Sequence, residues 1–159
     1  MNFVVIGTDH GFQERDPGLE GLLRAFVKIG FIEPPLSAIG EEYGKKMQEP
    51  TIAKRVADDA GLGWFNIDMS IEEREAADIL EDQRSRPIST ETVCYRVSSD
   101  EIREEEWVRR LTDGGPGTVI VVCGYLHSGA LAAKLRLKGH AVDHRVYLQA
   151  VPEIRSIEQ

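Results

Sequence analysis

The sequence predicts a single α/β domain built on a doubly wound, mainly parallel sheet of five strands, with helices on both faces. Three observations predict it. Five short apolar runs, at residues 2–7, 36–40, 64–67, 118–123 and 141–148, read as strands buried on both faces. Segments with helical periodicity lie between them, and that alternation implies right-handed crossovers between parallel strands. The length of 159 residues suits one domain with a sizeable core, and no internal repeat or linker divides it.

Each element follows from local chemistry. The first strand opens the chain with Phe3-Val4-Val5-Ile6. Leu19, Leu22, Leu23, Phe26 and Val27 then recur on one helical face, and Gly30 ends that helix as a C′ glycine. The second strand runs into the acidic pair Glu41-Glu42. Pro50 suits a first helical position, Ile52, Ala53, Val56, Ala57 and Ala60 form the next apolar face, and Gly61 closes it. After the third strand, Ser70 and Glu73 have capping-box spacing and open a helix expected to reach about Gln83. The stretch 84–97 reads as a loop, with 92–97 able to form a short extended piece. Ser98 and Glu101 repeat the capping-box spacing before a charged helix to about Thr112. The turn Gly114-Gly115-Pro116-Gly117 leads into the fourth strand, a helix over about 128–138 ends at Gly139, and the fifth strand follows.

Composition narrows the function. A net charge of −8 and the lack of a basic stripe exclude an electrostatic grip on nucleic acid or acidic lipid. Lys45-Lys46, Arg109-Arg110, Glu72-Glu73 and Glu104-Glu105-Glu106 read as solvated faces. No apolar run could span a membrane, and the amino terminus lacks signal-peptide character. Two cysteines, Cys94 and Cys123, with Cys123 inside an apolar strand, fit a reducing, cytoplasmic setting.

The chemistry concentrates at the strand carboxyl ends. The first strand runs into Gly7-Thr8-Asp9-His10 and the fourth into Gly124-Tyr125-Leu126-His127. Each is strand, glycine, two residues, histidine, with the glycine expected to turn the chain at the strand exit. One such motif occurs by chance; two at strand ends point to a shared site. In the strand order 3-2-1-4-5 expected here, strands one and four are neighbours about 4.8 Å apart at the switch point, where such folds bind ligands. Glu41, Glu42 and Asp68 fall at the same rim. Two histidines with a carboxylate can hold a divalent metal, with His10, His127 and Glu42 as ligands, or activate water by general-base catalysis. Arg103 shares a helix face with Trp107, which draws its guanidinium inward toward a buried carboxylate or an anionic ligand. Asp68 reads either as part of the site or as a helix cap, and Asp9 either orients His10 or decorates its loop. Tyr125 stands at the rim as a binding candidate, though it also reads, with Cys123, as packing. His140 and His144 read as surface residues beside an edge strand.

This set resembles the Tiki/TraB superfamily, which includes erythromycin-esterase-like proteins and Tiki-type metalloproteases. Its paired GxxH motifs, the acidic pair, and Arg103-Glu104-Glu105-Glu106-Trp107 are similar to the superfamily's pattern. The segment Asp68-Met69-Ser70-Ile71-Glu72-Glu73-Arg74 resembles small bacterial members. The resemblance spans about residues 4–146. It implies a hydrolase-like site of His10, His127, a glutamate and Arg103, with or without a divalent metal, acting on a small-molecule or peptide substrate. The rival is a non-catalytic module holding a small anionic metabolite or nucleotide in the same cleft, although no glycine-rich phosphate motif is present. A third reading is an interaction scaffold with a vestigial site. The substrate and the oligomeric state are not legible in the sequence.

Overall fold

A computed structural model describes residues 1–30, 34–44, 47, 50–79, 87, 90 and 92–157. Its elements are β1 (Asn2–Thr8), α1 (Phe12–Arg15), α2 (Pro17–Ile29), β2 (Leu36–Glu41), α3 (Ile52–Ala60), β3 (Gly63–Asn66) and α4 (Ile71–Ala76). They continue as β4 (Val93–Arg96), α5 (Ser98–Thr112), β5 (Thr118–Gly124), α6 (Tyr125–Leu137), β6 (Ala141–Tyr147) and β7 (Glu153–Ser156). The main sheet has five parallel strands in the order β3-β2-β5-β1-β6. The expected order 3-2-1-4-5 is therefore corrected. The strand at Thr118–Gly124 inserts between β1 and β2, because it pairs with both. As the most apolar strand it takes the central place, buried along its whole length.

Period-two alternation builds two cores. Phe3, Val5, Val119, Val121 and Cys123 face Trp107, Val108 and Leu111 of α5 and Leu131 and Leu135 of α6. Val4, Ile6, Ile39, Ile120 and Val122 face Leu19 and Leu23 of α2 and Ile52, Val56 and Ala57 of α3. Each buried aliphatic side chain contributes about 1.5–3 kcal/mol, so both faces are firmly held. From the neighbours β1 and β5 the chain leaves toward opposite faces of the sheet, which opens a crevice at their carboxyl ends.

Local signals hold with adjustments. Asp16 caps α2 by accepting from the Leu19 N–H, and Thr51, not a helical Pro50, caps α3. The Ser70–Glu73 capping box forms in full, yet α4 ends at Ala76 and Asp78 takes a φ of 56°. The rest of that expected helix, from residue 80, lies outside the described residues, as do Lys45 and Lys46 and most of 80–91. α5 starts from Val97, whose N–H donates to Asp100, rather than from a Ser98–Glu101 box. The extended piece near 92–97 is β4, which pairs in parallel with β7, a strand the apolar pattern does not reveal because it is exposed throughout. Among the described residues no helix is long and apolar enough to cross a membrane.

Candidate active site

The carboxyl ends of β1, β2 and β5 converge on one carboxylate. Glu42 follows β2, its N–H donates to the Val122 carbonyl, and its side chain folds back so that Oε2 accepts the Gly124 N–H at 2.8 Å. Its other oxygen, Oε1, lies 3.5 Å from Nε2 of His10, 3.9 Å from Nε2 of His127 and 3.1 Å from an Nη of Arg103. His10, His127, Glu42 and Arg103 are thus one cluster. Glu42 is buried, and burial alone would favour its neutral form. The two imidazoles, the guanidinium and the Gly124 N–H outweigh that and hold its carboxyl down at about 2.

Each histidine is tied at Nδ1. The Gln13 Nε2 donates to Glu41 Oε1 at 3.0 Å and to the Glu42 carbonyl at 3.1 Å, which fixes the amide with Oε1 toward His10. That oxygen lies 2.7 Å from His10 Nδ1, so Nδ1 carries the proton and Nε2 faces Glu42. At His127 the partner is Glu104, whose Oε1 is 2.9 Å from Nδ1, again leaving Nε2 toward Glu42. Trp107 packs edge-on against the His127 ring at 4.8 Å. His10 is half-exposed and His127 is buried. The Glu42 carboxylate raises the His10 pKa above 6.5, against burial and the more distant Arg103.

Two supports stand behind these ties. Glu41 is buried and accepts from Thr51 at 2.6 Å, Trp64 at 2.8 Å and Gln13, while burial raises its pKa. It faces away from the cluster, so of the acidic pair Glu42 is the site residue and Glu41 orients Gln13. The sequence leaves open which of the pair faces the site; β-strand alternation sends consecutive side chains to opposite sides, which turns Glu42 toward the imidazoles and Glu41 toward Gln13. Glu104 is also buried, gripped by both Nη atoms of Arg96 at 2.5 and 3.0 Å, and His127 and Arg96 lower its pKa against the effect of burial. The reading of Glu104 as solvated is wrong. Its neighbours Glu105 and Glu106 pair instead with Lys134 and with Arg109 and Arg110.

Arg103 finds its anions within the chain. Its Nε and one Nη donate to Asp68 at 3.2 and 2.9 Å, and the same Nη donates to Glu42. Asp68 also takes the Trp107 Nε1–H at 3.0 Å and an Nη of Arg74, so it is a buried anchor at the edge of a cleft, and Ser70 rather than Asp68 caps α4. Asp9 accepts the Gly11 N–H at 2.7 Å and closes the turn after β1 rather than orienting His10. Tyr125 donates to the Pro152 carbonyl at 3.2 Å while lining the cleft. His127 lies in the first turn of α6, not in a loop. His144 is half-buried beside Ser128, 3.0 Å away, and His140 packs edge-on against Phe3.

The two motif glycines serve space rather than turning. A Cβ at Gly7 would fall 2.2 Å from Ser128 Oγ, so α6 could not lie against β1. A Cβ at Gly124, whose φ is −58°, would fall 2.8 Å from His10 Nε2. At Gly40 it would meet Ile67, Phe65 and Leu111 within 3.0–3.2 Å, which is why glycine precedes the acidic pair.

Two clefts meet at the cluster. One, of about 650 Å³, lies toward Asp9, Cys94, Tyr125 and Gln149. The other, of about 920 Å³, lies toward Tyr43, Met47, Met69 and Ile71, and His10, Glu42 and Arg103 line both. Of the three expected metal ligands, Glu42 Oε1 faces both imidazoles and also takes the Arg103 guanidinium at 3.1 Å; among the described residues no group of three or more ligating side chains has the arrangement of a metal site. What the arrangement offers is two Nε2 lone pairs held over one ionised carboxylate, a geometry for moving protons. No family model, no curated protein and no solved structure matches the chain.

Proposed function

We propose that the chain is a hydrolase of the Tiki/TraB type that activates water on His10 without a metal ion, acting on a small-molecule or peptide substrate. The observation that carries this reading is the convergence of two Nδ1-tied imidazoles on Glu42 Oε1 beneath an open cleft. A water seated there can donate to both Nε2 atoms. As its oxygen bonds to the carbonyl carbon of an ester or amide, one proton passes to His10 Nε2, and the imidazolium hands it to the leaving oxygen or nitrogen as that bond breaks. Glu42 stabilises the imidazolium, and Arg103 with Asp68 fixes Glu42. α6 begins at Gly124 without a side-chain cap, so its first-turn N–H groups are placed for the developing oxyanion. Two free thiols accord with a cytoplasmic setting. The experiment is a panel of esters, amides and phosphoesters given to the purified protein. At least one should be turned over, and His10→Ala should abolish that turnover; activity that survives the substitution removes His10 from the mechanism.

The same uncapped helix start favours a second reading, a sensor for a small anionic metabolite or nucleotide. Thermal-shift titration separates the two. Stabilisation by a nucleotide or organic anion with no turnover of any substrate supports the sensor.

A further inference from the structure

We infer that the substrate is an ester or amide of an unbranched aliphatic acid, with the acyl chain lying in the cleft lined by Tyr43, Met47, Met69 and Ile71. The inference rests on the hydrolase reading and names its substrate class.

This cleft shares His10, Glu42 and Arg103 with its neighbour, so a molecule whose carbonyl sits over His10 has one arm on each side. Most of the polar side chains around the second arm are engaged within the protein; Arg74 gives an Nη to Asp68, and its Nε is buried without a partner. Asn66 Oδ1 accepts the N–H groups of Tyr43 and Asp68, and its Nδ2 donates to the Tyr43 carbonyl. Asp68 is saturated by Arg103, Trp107 and Arg74. The Ser70 hydroxyl accepts the Glu73 N–H as a helix cap. What is left for a ligand is mainly apolar: the side chains of Met47, Met69 and Ile71 and the ring of Tyr43, which is braced edge-on against Trp64 at 5.8 Å. Two flexible, unbranched thioethers against one fixed ring form a wall that repacks around a chain of varying length. At about 920 Å³ the arm falls within the range of small-molecule sites.

The test is a series of 4-nitrophenyl esters, acetate, butyrate, hexanoate and octanoate, read as kcat/KM, with calorimetric binding of butanamide and octanamide in parallel. Each methylene buried should raise kcat/KM about three- to fourfold, and octanamide should bind at least tenfold more tightly than butanamide. The double variant Met47→Ser, Met69→Ser should flatten both trends while its circular-dichroism spectrum stays that of the wild type; Ile71→Ser, at an exposed position, is the milder second variant. An active enzyme with a flat or falling ester series overturns the inference, as does octanamide binding no more tightly than butanamide. If no ester is turned over but octanamide binds preferentially and the double variant erases the preference, the arm stands and the hydrolase reading falls.

Discussion

The Cβ that any residue other than glycine would carry at position 124 falls 2.8 Å from Nε2 of His10. The glycine of one GxxH motif therefore makes room for the histidine of the other. The first clash is with the tip of a half-exposed side chain, so His10 can swing aside without unfolding the sheet. Gly124→Ala should cost under about 1 kcal/mol of stability. A reacting group moved by about an ångström loses on the order of a hundredfold in rate, and that is the expected fall in kcat/KM. Urea unfolding and steady-state kinetics check the two halves. A variant that unfolds, or one that keeps full activity, contradicts the account of this glycine.

The pH profile should report His10. Glu42 raises its pKa above 6.5, and a general base works only when unprotonated, so kcat/KM should fall as pH drops through that raised value. Glu42→Gln removes the charge responsible, and the acid limb should move to lower pH. Profiles of both proteins between pH 5 and 9 make the comparison. An unmoved limb assigns the titration to another group.

Much of this architecture was legible in the chain, for physical reasons that also explain the gaps. Five short apolar runs bounded by turn residues read as strands, and paired GxxH motifs at two of them placed His10 and His127 at one rim. Strand order escaped because β5 is equally apolar on both faces, which specifies burial but not a neighbour. Glu104 was hidden in an acidic run, yet its spacing to Trp107, Val108 and Leu111 puts it on their buried helix stripe, and that periodicity was the available signal. Gln13 and Arg96 sit in segments with no such pattern. Gln13 is placed by Glu41, 28 residues away, and Arg96 by a separate small sheet and by the Leu126 carbonyl, 30 residues away, which local sequence does not encode.

Stability should depend on Glu42 with a definite sign. Its folded pKa is depressed from 4.5 to about 2, so its contribution is complete above pH 4.5 and is lost as pH falls toward 2. At neutral pH that contribution is on the order of 3 kcal/mol. Unfolding free energies from urea titration of wild type and Glu42→Gln should differ by about this much at pH 7 and converge toward pH 2. A difference that persists unchanged in acid would trace to packing rather than charge.

Removal of metal should change nothing. Arg103 donates to the same Glu42 oxygen that faces both imidazoles, and Asp68 holds Arg103 in place through two hydrogen bonds. Dialysis against a chelator should leave turnover and thermal stability intact, and elemental analysis of the purified protein should find no stoichiometric divalent ion. Asp68→Ala supplies the complementary test. It strips Arg103, Arg74 and Trp107 of a shared buried acceptor, and breaking a buried ion pair from one side costs about 3–5 kcal/mol. The freed guanidinium can then leave Glu42, so turnover should fall along with the urea midpoint, and chelation should remain without effect. Loss of activity on chelation that is restored by adding a divalent ion would mean that Arg103 yields its place, and the proton-moving role assigned to the two imidazoles would pass to ligation.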